Sequence, residues 1–407
     1  MSCSHNGLRH RRGLRGDRQD TSPSPPVVAA AAGISLISIG SQTEKSALDG
    51  LFFRPLVHGA RPIMPTAISS PPRLSIVIPA PTDAAALEET LVSVLENRPN
   101  ESEIIVVLGF EYGDPWNVHE EVRFLKAPIG SNRVACINLG LAASRGRILH
   151  VLAAGWRATP FWTDAAVEHF ASEQVGAVVP LELASDDLDR IVATGIETRR
   201  GGRRICLRPR GDASRVKGFH VAEHPLPSGP TLEAGFWSSQ ILARLTNGFC
   251  LSCGDEYADA DMAVSLRAAG GRVVLEPASR VVAAAERQRL QRPFAAGLYG
   301  ERLFWRSLAA EPILQSLVLH VFEVLRHALV RAPLGTLPML AGRLAAVLQF
   351  GWYVPRFREL RQLIKTRPAE DGQLAQADRS LRFEPGHAGG GISRPRRRPR
   401  MPLRRSA

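Results

Sequence analysis

Five short apolar runs, separated by helical segments, constrain this chain more than anything else in it. They are Leu74-Ser-Ile-Val-Ile78, Glu103-Ile-Ile-Val-Val-Leu108, Val122-Arg-Phe-Leu125, Arg147-Ile-Leu-His-Val-Leu152 and Gly176-Ala-Val-Val-Pro-Leu181. Rich in β-branched residues and apolar on both faces, they read as strands covered on both sides, the pattern of a parallel sheet. Between them, residues 83–97 carry Leu87, Leu91, Val94 and Leu95 on one helical stripe, with Asp83 as N-cap. Residues 133–144 read as a second helix ending near Gly146, and Thr159-Pro160 as the start of a third that runs to about Ala171. Such alternation implies right-handed βαβ units and a mainly parallel sheet. Ligands on these sheets bind at the carboxyl ends of the strands, here just after Ile78, Leu108 and Leu152. Pro79 reads either as a plain strand terminator or, with Ala80, as backbone that meets a ligand at the strand's carboxyl end.

The chain has 407 residues, 44% of them hydrophobic, which excludes a small disulfide-stapled module. Its net charge of +12 invites a nucleic-acid or membrane-surface partner. Residues 1–20 hold five arginines against two aspartates, and residues 394–405 hold seven arginines and no acid, leaving about +2 for everything between. The arginine tails lack interleaved aromatics and the body has no basic recognition motif, so nucleic acid is the weakest partner class. Five scattered cysteines point to a reducing compartment, and hence to a cytoplasmic location. The apolar run from Val27 to Ile39 falls short of the ~20 residues that span a bilayer.

Four segments follow. Residues 1–70 read as a disordered, basic and proline-rich leader, 71–283 as an α/β domain, 284–368 as a helical extension, and 369–407 as a disordered basic tail. Within the domain, residues 190–235 show weak strand patterns, Phe236–Leu245 and Asp259–Ala269 read as helices, and Arg272-Val-Val-Leu-Glu276 as a strand. The extension carries one apolar stripe through Leu314, Leu317, Val318, Val321, Leu325 and Leu329, and a second through Leu337, Leu340, Leu344, Val347 and Leu348. Charges interrupt both, so lying in a membrane interface at the cytoplasmic face and packing on the domain or on a second subunit are the alternatives.

The ordered series Leu74-Ser-Ile-Val-Ile-Pro-Ala80, Leu87-Glu-Glu-Thr-Leu-Val-Ser-Val-Leu95, Glu103-Ile-Ile-Val-Val107, Asn138-Leu-Gly-Leu-Ala142, Gly235-Phe-Trp237, Gly254-Asp-Glu-Tyr-Ala-Asp-Ala-Asp-Met262 and Val274-Leu-Glu-Pro277 resembles a family 2 glycosyltransferase with the GT-A nucleotide-diphospho-sugar fold. The likeness covers roughly residues 73–283. It implies a nucleotide-diphosphate sugar donor, a glycan or lipid-linked acceptor, inverting transfer, and one carboxylate as general base. The family's Glu-Asp pair aligns with Ala258 and Asp259, making Asp259 the expected base at a helix start. Asp261 follows as a residue that caps or braces that helix, and Asp255 and Glu256 are the reserve acids.

The divalent cation usual in the family has lost its expected ligands. Leu152-Ala153-Ala154-Gly155-Trp156 stands where the family carries Asp-x-Asp, and Ala283 where a histidine often helps hold the metal. The nucleoside-binding acids after the second strand are replaced by Leu108-Gly109, leaving Glu111 and Asp114 nearby. No cofactor is therefore firmly implied. Two alternatives follow: a metal-independent enzyme, with Arg133 or Arg287, Arg289 and Arg292 neutralising the diphosphate, or a catalytically silent module that binds glycan or a partner. Ala153 and Gly155 would line the donor site, and Trp237 the acceptor site, with Trp156 and Trp162 as further stacking candidates. Cys250-Leu-Ser-Cys253 lacks the second pair of ligands a zinc site requires.

Overall fold

The computed structural model describes residues 72–245, 248–284 and 292–367. The leader, the basic tail, Arg287 and Arg289 lie outside the described residues. In chain order the elements are β1 (Leu74–Ala80), α1 (Ala84–Glu96), β2 (Ser102–Leu108), β3 (Val122–Lys126), α2 (Arg133–Ala143), β4 (Ile148–Leu152), β5 (Arg157–Ala158), α3 (Asp164–Glu168), β6 (Val175–Leu183) and β7 (Ile191–Ala193). They continue as β8 (Ile196–Arg199), β9 (Arg203–Cys206), β10 (Ala234–Ser238), α4 (Ser239–Leu242), α5 (Gly254–Ala268) and β11 (Arg272–Val282). Four helices close the described chain: α6 (Pro293–Ser307), α7 (Ile313–Val330), α8 (Thr336–Val347) and α9 (Tyr353–Lys365).

The main sheet runs β3-β2-β1-β4-β10-β6-β11-β5, with β7 pairing to β6. Strands β3, β2, β1 and β4 are mutually parallel, as are β6 and β11, while β10 runs antiparallel between β4 and β6. The chain is thus an α/β protein with a mainly parallel central sheet and a helical extension. Alternation along β1 explains why every residue in it is buried. Ile76 and Ile78 pack with Leu87, Leu91 and Val94 of α1 on one face, and Val77 packs with Val134 and Ile137 of α2 on the other. Each fully buried aliphatic side chain of α1 contributes about 1.5–3 kcal/mol, and Asp83 caps that helix through the Ala86 N–H at 3.2 Å.

Four expectations change. Pro79 does not end β1; it lies inside the strand opposite Val107, and its carbonyl accepts the Ala154 N–H. Segment 234–238 is a strand and not a helix, because Phe236 and Trp237 point into opposite cores and are both fully buried there. The third helix starts at Asp164, because Trp162 turns inward as a core anchor and the Thr159 hydroxyl binds the Arg280 carbonyl instead of capping. Finally, α5 starts at Gly254, five residues before the expected Asp259, since Asp255 and Glu256 fill its first turn next to the favourable end of the helix dipole.

Beyond β11 the extension packs onto α5. Asp261 is fully buried and accepts from Arg306 of α6 at 2.7 and 3.0 Å and from Arg356 of α9 at 3.4 Å. Asp261 therefore ties α5 to two extension helices, where capping or bracing of α5 itself was expected. A second buried knot joins α6, α7 and α8: Glu301 accepts from Arg343 at 2.6 Å, meets His320 at 3.1 Å, and takes the Trp305 indole N–H at 2.9 Å. Gly297 and Gly342 let α6 and α8 nearly touch, since a Cβ at either would lie within about 2 Å of the other helix's carbonyls.

Candidate active site

Four segments distant in sequence meet at the carboxyl ends of β1, β2 and β4. The loop from β3 delivers α2, whose Asn132 caps the Ala135 N–H at 2.9 Å. Asp255, in the first turn of α5, accepts the Arg133 and Val134 N–H groups at 3.3 and 3.1 Å, so the two helix starts are tied together. Glu233, just before β10, is held by its carbonyl, which accepts the Ala153 N–H at 2.8 Å. An acid therefore does stand at the end of β4, supplied by a remote segment. Its carboxylate accepts from Arg133 at 3.0 Å, and both side chains keep about a quarter or less of their surface exposed.

The β8–β9 hairpin adds the fourth group. Arg204 of β9 grips Asp259 of α5, its Nε lying 2.8 and 3.0 Å from the two carboxylate oxygens and its Nη2 also donating to Oδ2. Asp259 is 0% exposed, whereas the Arg204 side chain retains 20%. Burial raises the Asp259 carboxyl above its ordinary value of 3.8, with Arg204 pulling against it. Burial also works against the Arg204 charge, but Asp259 and then Glu233 outweigh it, so the guanidinium stays protonated. The result is an alternating row, Arg133, Glu233, Arg204 and Asp259, along the end of the sheet.

Asp259 is consequently not at a helix start facing an acceptor. It sits in the second turn of α5 with both oxygens taken by Arg204 and one also by the Ala260 N–H at 2.7 Å. A general base needs a lone pair within reach of the acceptor hydroxyl, and none is presented while the hairpin is in place. Other expected site residues are placed differently again. Ala153 is fully enclosed; Gly155, with φ of +87°, uses its N–H on the Ala86 carbonyl and the Thr90 hydroxyl, so both shape the turn after β4. The Ala80 carbonyl accepts the Gly109 N–H and is likewise spent on the sheet. Glu111 is exposed and paired with Lys126 at 3.1 Å. Glu256 stands in the first turn of α5 close to Gly254. Arg292 lies at the start of α6, exposed.

Trp237 is no acceptor platform. It is buried edge-on against Phe249 at 5.3 Å, and Trp156 and Trp162 are buried too. His150, one strand register away, is a neutral core residue stacked on Phe236 at 3.9 Å, its burial pushing its pKa down to about 3. A groove of about 490 Å³ lined by Arg98, Glu103, Glu121, Arg123 and Arg145 lies at the amino ends of β2 and β3, the far end of the sheet from this row of charges.

The residues do not fit a divalent cation at the end of β4. Ala153, Ala154 and Gly155 offer no side-chain oxygen, and among the described residues the carboxylate brought there, Glu233, is flanked by two guanidinium groups. Cys250, Cys253 and Asp261 bring their ligand atoms within 4.8 Å of one another, but the carboxylate of Asp261 is committed to Arg306 and Arg356. Two thiols remain, short of the four ligands of a structural zinc site. Arg204 and Glu233 are absent from the sequence-based expectations. The Gly201-Gly202 turn signal, with arginines on both sides, marks a hairpin that carries the first, and nothing local marks the second.

No protein-family model matches the chain, and no curated protein matches its sequence. Solved structures similar to it include the mannosyltransferase PcManGT from Pyrobaculum calidifontis in complex with GDP-Man and Mn2+, at 18% identity over 76% of this chain and 80% of that one, with a TM-score of 0.38. Another is GalNAc-T7 with UDP, GalNAc and Mn2+, at 12% identity and a TM-score of 0.41. Here 63% of this chain covers 54% of that one, so the chain spans about half of GalNAc-T7.

Proposed function

We propose that this chain is a metal-independent, inverting glycosyltransferase that moves a sugar from a nucleotide-diphosphate donor to a glycan or lipid-linked acceptor at the cytoplasmic face of a membrane. The observation that carries this reading is the Arg204–Asp259 pair, buried at the carboxyl end of the sheet beside Arg133 and Glu233. A diphosphate entering there is a competing bidentate acceptor for Arg204. Drawing the guanidinium onto the donor does two things at once: it neutralises the leaving group and it uncovers Asp259. Asp259 then takes the acceptor hydroxyl's proton while that oxygen attacks the anomeric carbon. The bond from that carbon to the phosphate oxygen breaks, and the nucleoside diphosphate departs with the electron pair. Arg133, anchored at the start of α2, supplies the second positive charge.

Calorimetry with nucleotide-diphosphate sugars, together with a product assay, tests this. Asp259→Asn should abolish transfer while binding donor at least as tightly as the wild type, because Arg204 no longer has to leave a carboxylate. EDTA should change neither binding nor turnover. Retained turnover in Asp259→Asn would sink the assignment. A second reading is favoured by the complete enclosure of Asp259, namely a catalytically silent module that binds glycan or a partner. Failure of the wild type to bind any nucleotide-sugar would select it.

A further inference from the structure

Helix α7 is built inside out, and α8 continues its open apolar face. On α7 the face turned to the body is polar: Ser316 and His320 are buried, Glu323 and His327 half-buried, and the four share one stripe. His320 meets the Gly201 carbonyl of the β8–β9 turn at 2.9 Å and Glu301 at 3.1 Å, and Glu323 lies 3.6 Å from Arg203. The opposite face is apolar and open, with Leu314, Val318, Val321, Phe322, Leu325 and Leu329 each at least half exposed. On α8 the buried face holds Met339, Gly342 and Ala346 together with the helix's one cation, Arg343, which meets Glu301, while Leu337 and Leu344, and Leu348 just after the helix, are exposed. A helix in water normally hides the leucines and exposes the charge, so this polarity marks surroundings less polar than water.

We propose that the open face of α7 and α8 seats in the interface of an anionic lipid bilayer, with both helices lying in its plane. The inference stands on these helices alone and does not depend on the transfer chemistry. In-plane seating follows from the polar stripe. His320 and Glu323 are tied to the body and His327 to Arg343 of α8, so only one side of α7 is available to acyl chains, and its 18 residues form an amphipathic element about 27 Å long. Just after α8, Phe350 and Trp352 are more than half exposed, Phe350 adding to the apolar face and Trp352 being the residue type that settles at headgroup depth. Charge selects lipid over a second copy. Residues 394–405 hold seven arginines and no acid, a charge that acidic headgroups attract and that a second copy, carrying the same charge, does not.

The test is flotation of the full-length chain with vesicles of phosphatidylcholine, alone or mixed with phosphatidylglycerol. The wild type should float with the mixed vesicles, less with phosphatidylcholine alone. Leu314→Glu/Leu325→Glu and Leu337→Glu/Leu344→Glu alter exposed positions, so the unfolding midpoint should hold while vesicle affinity falls at least about a hundredfold. Deleting residues 385–407 should leave weaker binding that no longer responds to salt. The proposal is overturned if the wild type stays in the soluble fraction with both vesicle types, or if the double variants float like it. A concentration-dependent dimer that the same substitutions dissolve, with no flotation, overturns it equally and assigns the face to a second copy.

Discussion

Replacing Arg204 by methionine isolates the ion pair on which the site is built. Methionine keeps the stem's packing but removes every bond from the guanidinium, leaving Asp259 with the Ala260 N–H at 2.7 Å. Breaking a buried pair by removing one partner costs about 3–5 kcal/mol. Asp259 is fully enclosed, which favours the upper figure, but the fifth of the Arg204 side chain that reaches solvent gives water a way in. About 3 kcal/mol at neutral pH is the expected loss. A ceiling exists, because the variant can bind a proton instead. Neutralising a carboxyl of ordinary value 3.8 at pH 7 costs about 4.4 kcal/mol, at 1.36 kcal/mol per pH unit.

The sign of the pH dependence follows. Burial holds the Asp259 carboxyl above its unfolded value, so its contribution to stability is full below about pH 4 and is lost as the pH rises through the folded value. Without Arg204 to oppose burial that loss is larger. The gap between variant and wild type should therefore be small near pH 4 and widen toward neutrality. Denaturant unfolding at several pH values measures it, with Arg204→Met/Asp259→Asn as the control that recovers most of the loss. A gap that stays flat from about pH 4 to 7, or that falls below about 1 kcal/mol at neutrality, would refute the ion-pair account.

Two further outcomes rest on the extension. Asp261→Asn loses the charge that holds Arg306 and Arg356, so it should cost about 3–5 kcal/mol and expose α6 and α9 to limited proteolysis; an unchanged digestion pattern counts against the brace. Glu301 is depressed overall, since burial raises its pKa but His320 and Arg343 outweigh that. Its contribution is therefore present above the ordinary value of 4.5 and is lost as pH falls through the lower folded value. Glu301→Gln should remove that acid transition, followed by fluorescence of Trp305, whose indole N–H bonds Glu301; an identical transition in the variant would rule Glu301 out as its source.

Legibility varied with how local the cause was. Strands β1 to β4, helices α1 and α2 and the Asp83 cap were readable because period, burial and capping are written into consecutive residues. Strand β10 was not, since Phe236 and Trp237 suit a helix or a strand equally until two neighbouring strands claim them. Asp259 could be singled out by the family resemblance, but its state could not. That state depends on Arg204, 55 residues earlier, in a segment whose own pattern is weak.

The sequence by itself determined the α/β class and the mainly parallel sheet. The tertiary structure alone decided which charges meet there. It set Glu233 at the end of β4, closed Arg204 over Asp259, turned the polar face of α7 inward and buried Arg343 of α8 against Glu301. The physical reason is that periodicity reports which face of an element is apolar, whereas ion pairing depends on where loops and hairpins bring side chains in space. Burying a charge is tolerable only beside its partner, and that partner is found by the fold and not by proximity along the chain.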